Sequence, residues 1–391
     1  MGIGRFAFTP LLPLMLAEGQ VDLPAASWLA SANYLGYLAG ALACTFQPWL
    51  WARIGRWPAI NGPAMVRGGL VATTVLTLAM ALPWPAAWPL LRFAAGVASA
   101  LVFVYSSGWC LAQLAARGQG AIGGAMYTGP GAGIALSGVL VSGLVALHAQ
   151  SAVGWLVFGG LALALTSTVW RVFGAGPVAG PAAPGALSPA APTATAAAPP
   201  AEHGRAEIIT LALAYGLAGF GYIITATFLP VIARSALPGS AWLDLFWPIV
   251  GLGVVVGALL STRVKVTGDL RRALAVAYVL QAAGVMTPLW SPTLSGFIMG
   301  SVLLGLPFTA ITFFAMQEVR RLAPLHSASM MGLLTALYGV GQIVGPPLAA
   351  WQLGRAASQA AGFAMALQIA AGALVLGALI YLAMGRVFPR R

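Results

Sequence analysis

The sequence predicts an all-α integral membrane protein, a bundle of twelve helices arranged as two pseudo-symmetric halves of six. Three observations carry this. Of 391 residues, 60% are hydrophobic and only 7% charged, whereas soluble domains carry about 25% charge; a soluble enzyme is therefore excluded. Apolar runs of spanning length recur along the chain, and twelve helices of roughly 20 residues would consume about 240 positions. The runs also fall into two sets of six that repeat one another.

In chain order the runs cover 2–17, 25–47, 63–82, 86–111, 120–147 and 151–173, then 208–233, 241–262, 273–289, 294–317, 328–353 and 361–385. Each is bounded by Gly, Pro or Arg. The first is short, reaching about 24 Å as a helix against a hydrocarbon core of about 30 Å. A signal peptide explains it poorly, because no basic region leads it and Leu16-Ala17-Glu18 is not a small-residue cleavage site. Between the sixth and seventh runs, 174–206 holds seven prolines, many alanines and almost no large apolar residue. Such a stretch cannot offset its ordering entropy by burial. It is expected to be a flexible linker between bundles 1–173 and 207–391.

The halves repeat at a shift of 217. Gly2-Ile3-Gly4 falls on Gly219-Phe220-Gly221, Leu12-Pro13 on Leu229-Pro230, and Gly40-Ala41-Leu42 on Gly257-Ala258-Leu259. Later spans agree at shifts of 209 to 211, as in Gly96 with Gly305 and Tyr127 with Tyr338. The counterpart of Ile208, where the seventh span starts, would precede Met1 by about nine positions. The first helix is thus expected to be truncated at its N-terminus.

Charge placement orients the bundle. The net charge is +12, from nineteen basic residues against seven acids. Fifteen basic residues fall on one side of the predicted spans, Arg234 and Arg355 on the other, and Arg5 and Arg92 within the membrane. By the positive-inside rule the linker and C-terminus are expected to be cytoplasmic. The basic residues are scattered singly or in pairs, which disfavours nucleic-acid binding. Cys44 and Cys110 lie inside apolar runs without metal-ligand or disulfide spacing. His148, His203 and His326 are dispersed, and no Walker-type phosphate loop occurs. No catalytic residue, metal or cofactor is expected, and ATP-driven transport has no support.

Several motifs sit on this frame. Arg53-Ile54-Gly55-Arg56 follows the second run, Arg92-x-x-x-Gly96-x-x-x-Ala100 lies in the fourth, and Gly129-Pro130 with Gly133 in the fifth. The eleventh run contains Gly341-x-x-x-Gly345-Pro346. Together with the 6+6 repeat, these resemble the major facilitator superfamily, although Pro48 and Ala52 replace the Gly and Asp of its motif between helices 2 and 3. More narrowly, Gly2-Ile-Gly-Arg-Phe-Ala-Phe-Thr-Pro-Leu-Leu-Pro13 and Ser31-Ala-Asn-Tyr-Leu-Gly-Tyr-Leu-Ala-Gly40 are similar to the YbfB/YjiJ-type branch. The resemblance implies a transporter whose halves meet at a central cavity, and implies that Arg53, Arg56 and Arg92 serve conformational coupling.

Arg5 is the sharpest single feature. A cation at mid-bilayer costs at least about 2.5–3.5 kcal/mol on insertion scales, so it is expected to face a cavity or a partner. Its planar guanidinium suits a carboxylate or phosphate; the bland alternative is a structural arginine bonded to carbonyls and tyrosines. Tyr222 is its repeat partner. Asn33, Tyr37, Tyr127, Tyr338 and Gln342 complete a candidate polar set at cavity depth, each alternatively an interhelical hydrogen bond. Arg92 has a rival reading as an arginine snorkelling to the interface. Asp244 and Glu318 are the remaining coupling candidates, each alternatively a local ion pair. Gly36-x-x-x-Gly40-x-x-x-Cys44 and Gly253-x-x-x-Gly257-x-x-x-Ser261 are ridges for close helix packing.

The expected function is secondary active transport of a small organic solute, anionic by virtue of Arg5, with or without a co-transported ion. Efflux of amphiphilic compounds and a transporter-like membrane sensor or receptor are the alternatives. The lipid bilayer is the expected surrounding, and a monomer the expected state.

Overall fold

The computed structural model of the protein describes residues 2–54, 61–117, 126–173, 204–240, 242–261, 263–264, 269–322 and 327–389. Arg56, Glu202 and most of the predicted linker lie outside the described residues. The rest is helical: α1 (Gly2–Phe6), α2 (Phe8–Ala17), α3 (Leu23–Ile54), α4 (Gly62–Ala79), α5 (Trp88–Ala116), α6 (Thr128–Ala146) and α7 (Ser151–Val169) in the first half. The second half contributes α8 (Gly204–Ala236), α9 (Phe246–Ser261), α10 (Leu270–Trp290), α11 (Leu294–Leu322), α12 (Ser327–Arg355) and α13 (Gln359–Val387). Ten of these helices are long and apolar enough to cross a membrane; α3 and the short α1–α2 pair complete twelve.

The first predicted span is two helices rather than one, broken at Ala7. Pro10 has no N–H to give the carbonyl of Phe6, and its ring crowds that turn. The repeat partner of Pro10 is Thr227, and α8 accordingly runs unbroken past that point. Only Pro230, the partner of Pro13, interrupts the α8 hydrogen-bond ladder. The seventh span also starts at Gly204, inside the stretch assigned to the linker.

Caps mark several helix starts. Asp22 accepts from Ala25 N at 2.7 Å at the head of α3, and Asn61 from Ala64 N at 3.2 Å on α4. Asp269 accepts from Arg271 N at 3.0 Å on α10, and Ser358 from Ala361 N at 3.2 Å on α13. Each satisfies one of the donors that a helix start leaves without a partner.

Within the first half α5 packs on α3 and α4, and α4 on α7; within the second, α8 packs on α12 and α13, and α11 on α9 and α10. The glycine ridges serve these contacts. Gly36 and Gly40 admit the backbone of α5, and Gly257 admits that of α11. Across the halves the main contacts are α6 with α9, α3 with α12, and α2 with α8. Thr9 Oγ1 donates to Ala226 O at 3.0 Å, joining positions separated by the 217-residue repeat itself. Outward-facing side chains such as Trp28, Leu90 and Trp290 are at least 65% exposed, as befits a surface solvated by lipid.

Candidate functional site

A cavity of about 120 Å³ lies between the halves, and Arg5 of α1 lines it. Arg5 occupies the last turn before the break at Ala7, so the kink made by Pro10 fixes its direction. The side chain is 7% exposed. Its guanidinium stacks 4.1 Å from the ring centroid of Tyr37, and Nη2 donates to Gln342 Oε1 at 3.0 Å. Gln342 Nε2 in turn donates to the Tyr222 hydroxyl, which fixes the amide with its oxygen toward the arginine. Arg5 Nε is buried and has no hydrogen-bond partner among the described residues. No ion pair to Arg5 occurs among them either; Arg234 pairs with Asp244, and Arg271 with Glu207 and Asp269.

Of the predicted set, Arg5, Tyr37, Tyr127, Tyr222, Tyr338 and Gln342 share this one cavity. Asn33 does not. It is fully buried at the crossing of α3 and α5, where Nδ2 donates to Arg92 O at 2.9 Å. One helical turn separates it from Tyr37, but that turn points at a neighbouring helix rather than at the opening. Its amide thus makes an interhelical hydrogen bond, while Oδ1 is buried with no hydrogen-bond partner among the described residues.

Arg92 is 2% exposed, which corrects the interface alternative. Its guanidinium lies 4.7 Å over the Phe8 ring, and Nε has no hydrogen-bond partner among the described residues. Asp244 pairs with Arg234 between the end of α8 and the turn leading into α9, away from the cavity. Glu318 is wholly buried and Oε1 accepts from Leu270 N at 2.8 Å, tying α11 to the start of α10. Nearby, Arg271 bridges Glu207, Asp269 and the carbonyls of Met384 and Phe388. Arg53 is exposed and stacks 4.3 Å over the Trp49 ring.

Much of the wall carries no mark in the sequence. Tyr215, Phe308, Thr309 and Phe313 line the cavity as well. Tyr215 lies seven residues before Tyr222, hence on the same face of α8, and that spacing was legible. Phe308, Thr309 and Phe313 follow Pro307 in a run of apolar residues with no periodic mark. Tyr215 and Tyr338 stack with centroids 4.8 Å apart, Tyr338 and Tyr222 stack at 5.8 Å, and Tyr222 meets Phe308 edge-on at 4.9 Å.

Comparison with known families settles the class. A family profile described as "Uncharacterised MFS-type transporter YbfB" matches residues 1–382. The chain belongs to this family of major facilitator superfamily transporters. Its fold is theirs: the nucleoside transporter NupG, solved as a point mutant, aligns with a TM-score of 0.62 at 16% identity, covering 98% of each chain. The human organic anion transporter MFSD10 (TETRAN) aligns at 0.60 and 16% identity, covering 97% of this chain and 96% of that one. Identities this low speak for the fold alone. No curated protein sequence matches the chain. Family membership makes this a multi-pass membrane protein and a transporter rather than an enzyme, with a small-molecule substrate.

Proposed function

We propose that the protein is a secondary active transporter that moves a small organic anion across the inner membrane by alternating access, with its linker and C-terminus in the cytoplasm. The observation that carries this reading is Arg5. A buried guanidinium faces a cavity between the two halves, held by a neutral amide and an aromatic ring, with no acid paired to it among the described residues. Neutral partners leave most of its charge uncompensated, and a carboxylate or phosphate in the cavity completes it with charge-assisted hydrogen bonds. Arg92, equally buried and not ion-paired among the described residues, adds positive potential nearby. Efflux of uncharged amphiphiles gives neither cation a role.

The site couples binding to movement because it is shared. Arg5 and Tyr37 come from the first half; Gln342, Tyr222 and Tyr338 come from the second. Three hydrogen bonds join the halves toward the face away from the linker: Ser31 to Ile343 O at 2.9 Å, Tyr34 with Thr227 at 3.1 Å, and Thr9 to Ala226 O at 3.0 Å. At about 0.5–1.5 kcal/mol net each, they contribute about 1.5–4.5 kcal/mol to closing that face, beside the packing of α3 on α12 and α6 on α9. A ligand inverts a 1:99 equilibrium between two such states only by binding one of them about 5.5 kcal/mol better than the other. Positive charge at the linker face sets the orientation.

The test is uptake into proteoliposomes containing the full chain, using a panel of small organic acids and their uncharged amides. Saturable uptake confined to acids, and lost in Arg5→Gln, is expected. Uptake of the amides at equal rates would refute the anionic reading.

A further inference from the structure

The walls of the cavity identify the substrate more narrowly than its charge does. Nine of its seventeen lining residues are aromatic, against 10% of the chain. Enrichment on that scale is not needed merely to fill space between helices, where Leu, Ile and Ala serve. The rings are also ordered with respect to one another. Tyr215, Tyr338 and Tyr222 form a continuous stack along one side, with interplanar angles of 27° and 24°, and Phe308 closes on Tyr222 at 70°. Aromatic side chains have two rotatable bonds, so a packed group of them receives a ligand at little cost in conformational entropy. Their quadrupoles favour offset-stacked and edge-to-face contacts with a further ring.

Size restricts the choice. Pockets for drug-sized ligands span about 300–1,000 Å³; the present cavity encloses about 120 Å³, room for a single ring bearing a short substituent. Arg5 lines it, and its Nε is buried and lacks a hydrogen-bond partner among the described residues. At the α11 wall Thr309 is 8% exposed, and its hydroxyl likewise has no partner there. The lining thus offers a cation, a wall of stacked aromatic rings and one hydroxyl without a partner among the described residues.

We infer that the substrate class is the monocyclic aromatic carboxylates, the carboxylate on Arg5 and the ring among Tyr222, Tyr338 and Phe308. This deepens the organic-anion reading and rests on it. The two are separable by experiment. Binding to the purified full-length protein is measured for benzoate, cyclohexanecarboxylate and benzamide, by ligand-induced thermal shift and by titration. Cyclohexanecarboxylate keeps the charge and the apolar bulk but has no π-face; benzamide keeps the ring and loses the charge. Benzoate is expected to bind about 2- to 10-fold tighter than cyclohexanecarboxylate, the scale of an aromatic contact beyond area burial, and benzamide at least 10-fold weaker than benzoate.

Tyr338→Leu is expected to remove the preference for benzoate over cyclohexanecarboxylate, and Tyr338→Phe to keep it. Should Tyr338→Leu not fold, the wild-type comparison and Tyr338→Phe still decide. Equal binding of the two acids overturns the aromatic inference and leaves the anionic reading intact. Equal binding of benzamide and benzoate overturns the anionic reading, and the present inference with it. Failure of benzoate to bind at millimolar concentration, while aliphatic acids do, overturns the inference alone.

Discussion

Gly96→Ala tests whether the crossing of α3 and α5 is as tight as the structure has it. A methyl group at Gly96 would collide with the carbonyl oxygen of Asn33 and come within 2.7 Å of Tyr37 N and 3.0 Å of Gly36 C. Ordinary contact begins at 3.4 Å, so the 2.7 Å approach alone requires a separation of about 0.7 Å, and the closer Asn33 carbonyl requires more. All three obstacles are backbone atoms, which no change of rotamer can move. Overpacking of this kind costs about 1–3 kcal/mol, and the upper part of that range applies because nothing flexible yields. Against it stands the better helix propensity of alanine, about 1 kcal/mol. The net expectation is a loss of about 1–2 kcal/mol in unfolding titrations in mixed micelles.

Because Tyr37 is one of the obstacles and also stacks on Arg5 at 4.1 Å, ligand binding should weaken alongside. Gly68 on α4 supplies the control. A Cβ there meets nothing within 4 Å, so Gly68→Ala should be neutral or stabilising by up to about 1 kcal/mol. If Gly96→Ala proves as stable as Gly68→Ala and binds ligand as well as wild type, the close-crossing argument is wrong.

Tyr34→Phe removes the Thr227 partner and should shift the closed-to-open ratio at the face away from the linker by about 2- to 10-fold. Spin labels at Ala25 and Ala357, in a background lacking Cys44 and Cys110, would report it as a population at longer distance. Arg271→Met removes the buried guanidinium that joins Glu207, Asp269 and the carbonyls of Met384 and Phe388 and should destabilise the protein by about 3–5 kcal/mol, visible as a lower unfolding midpoint. Ligand affinity of the folded fraction should stay unchanged. Glu18 accepts from the backbone and hydroxyl of Ser151 at the start of α7; Glu18→Ala should cost about 1 kcal/mol, a modest fall in the same titration.

The fold was largely legible because lipid imposes a simple rule: backbone groups must pair within a helix, and spans of fixed length must be apolar. Observed bounds such as Leu294–Leu322 and Gln359–Val387 extend runs already visible as 294–317 and 361–385. The break at Ala7 was less visible, since Pro10 lies in a run that reads as one helix by hydropathy. Most of the cavity's polar set followed from depth along the spans. Asn33 did not, because depth does not specify which face of α3 points inward. Neither did the aromatic wall on α11, since Phe308 and Phe313 are equally good lipid-facing residues until the packing of α11 is known.

The central claim is that Arg5 binds the charged group of the substrate, and direct titration with benzoate tests it most closely. Wild type, Arg5→Lys and Arg5→Gln are compared, with folding verified by gel filtration and circular dichroism. Lysine keeps the charge but loses the planar fork, and glutamine loses both. Forfeiting a charged hydrogen bond costs about 1.5–3 kcal/mol, so affinity should fall about 10-fold or more in Arg5→Lys and further in Arg5→Gln. Folded variants that both bind benzoate as tightly as wild type does would contradict the claim and make Arg5 a structural residue.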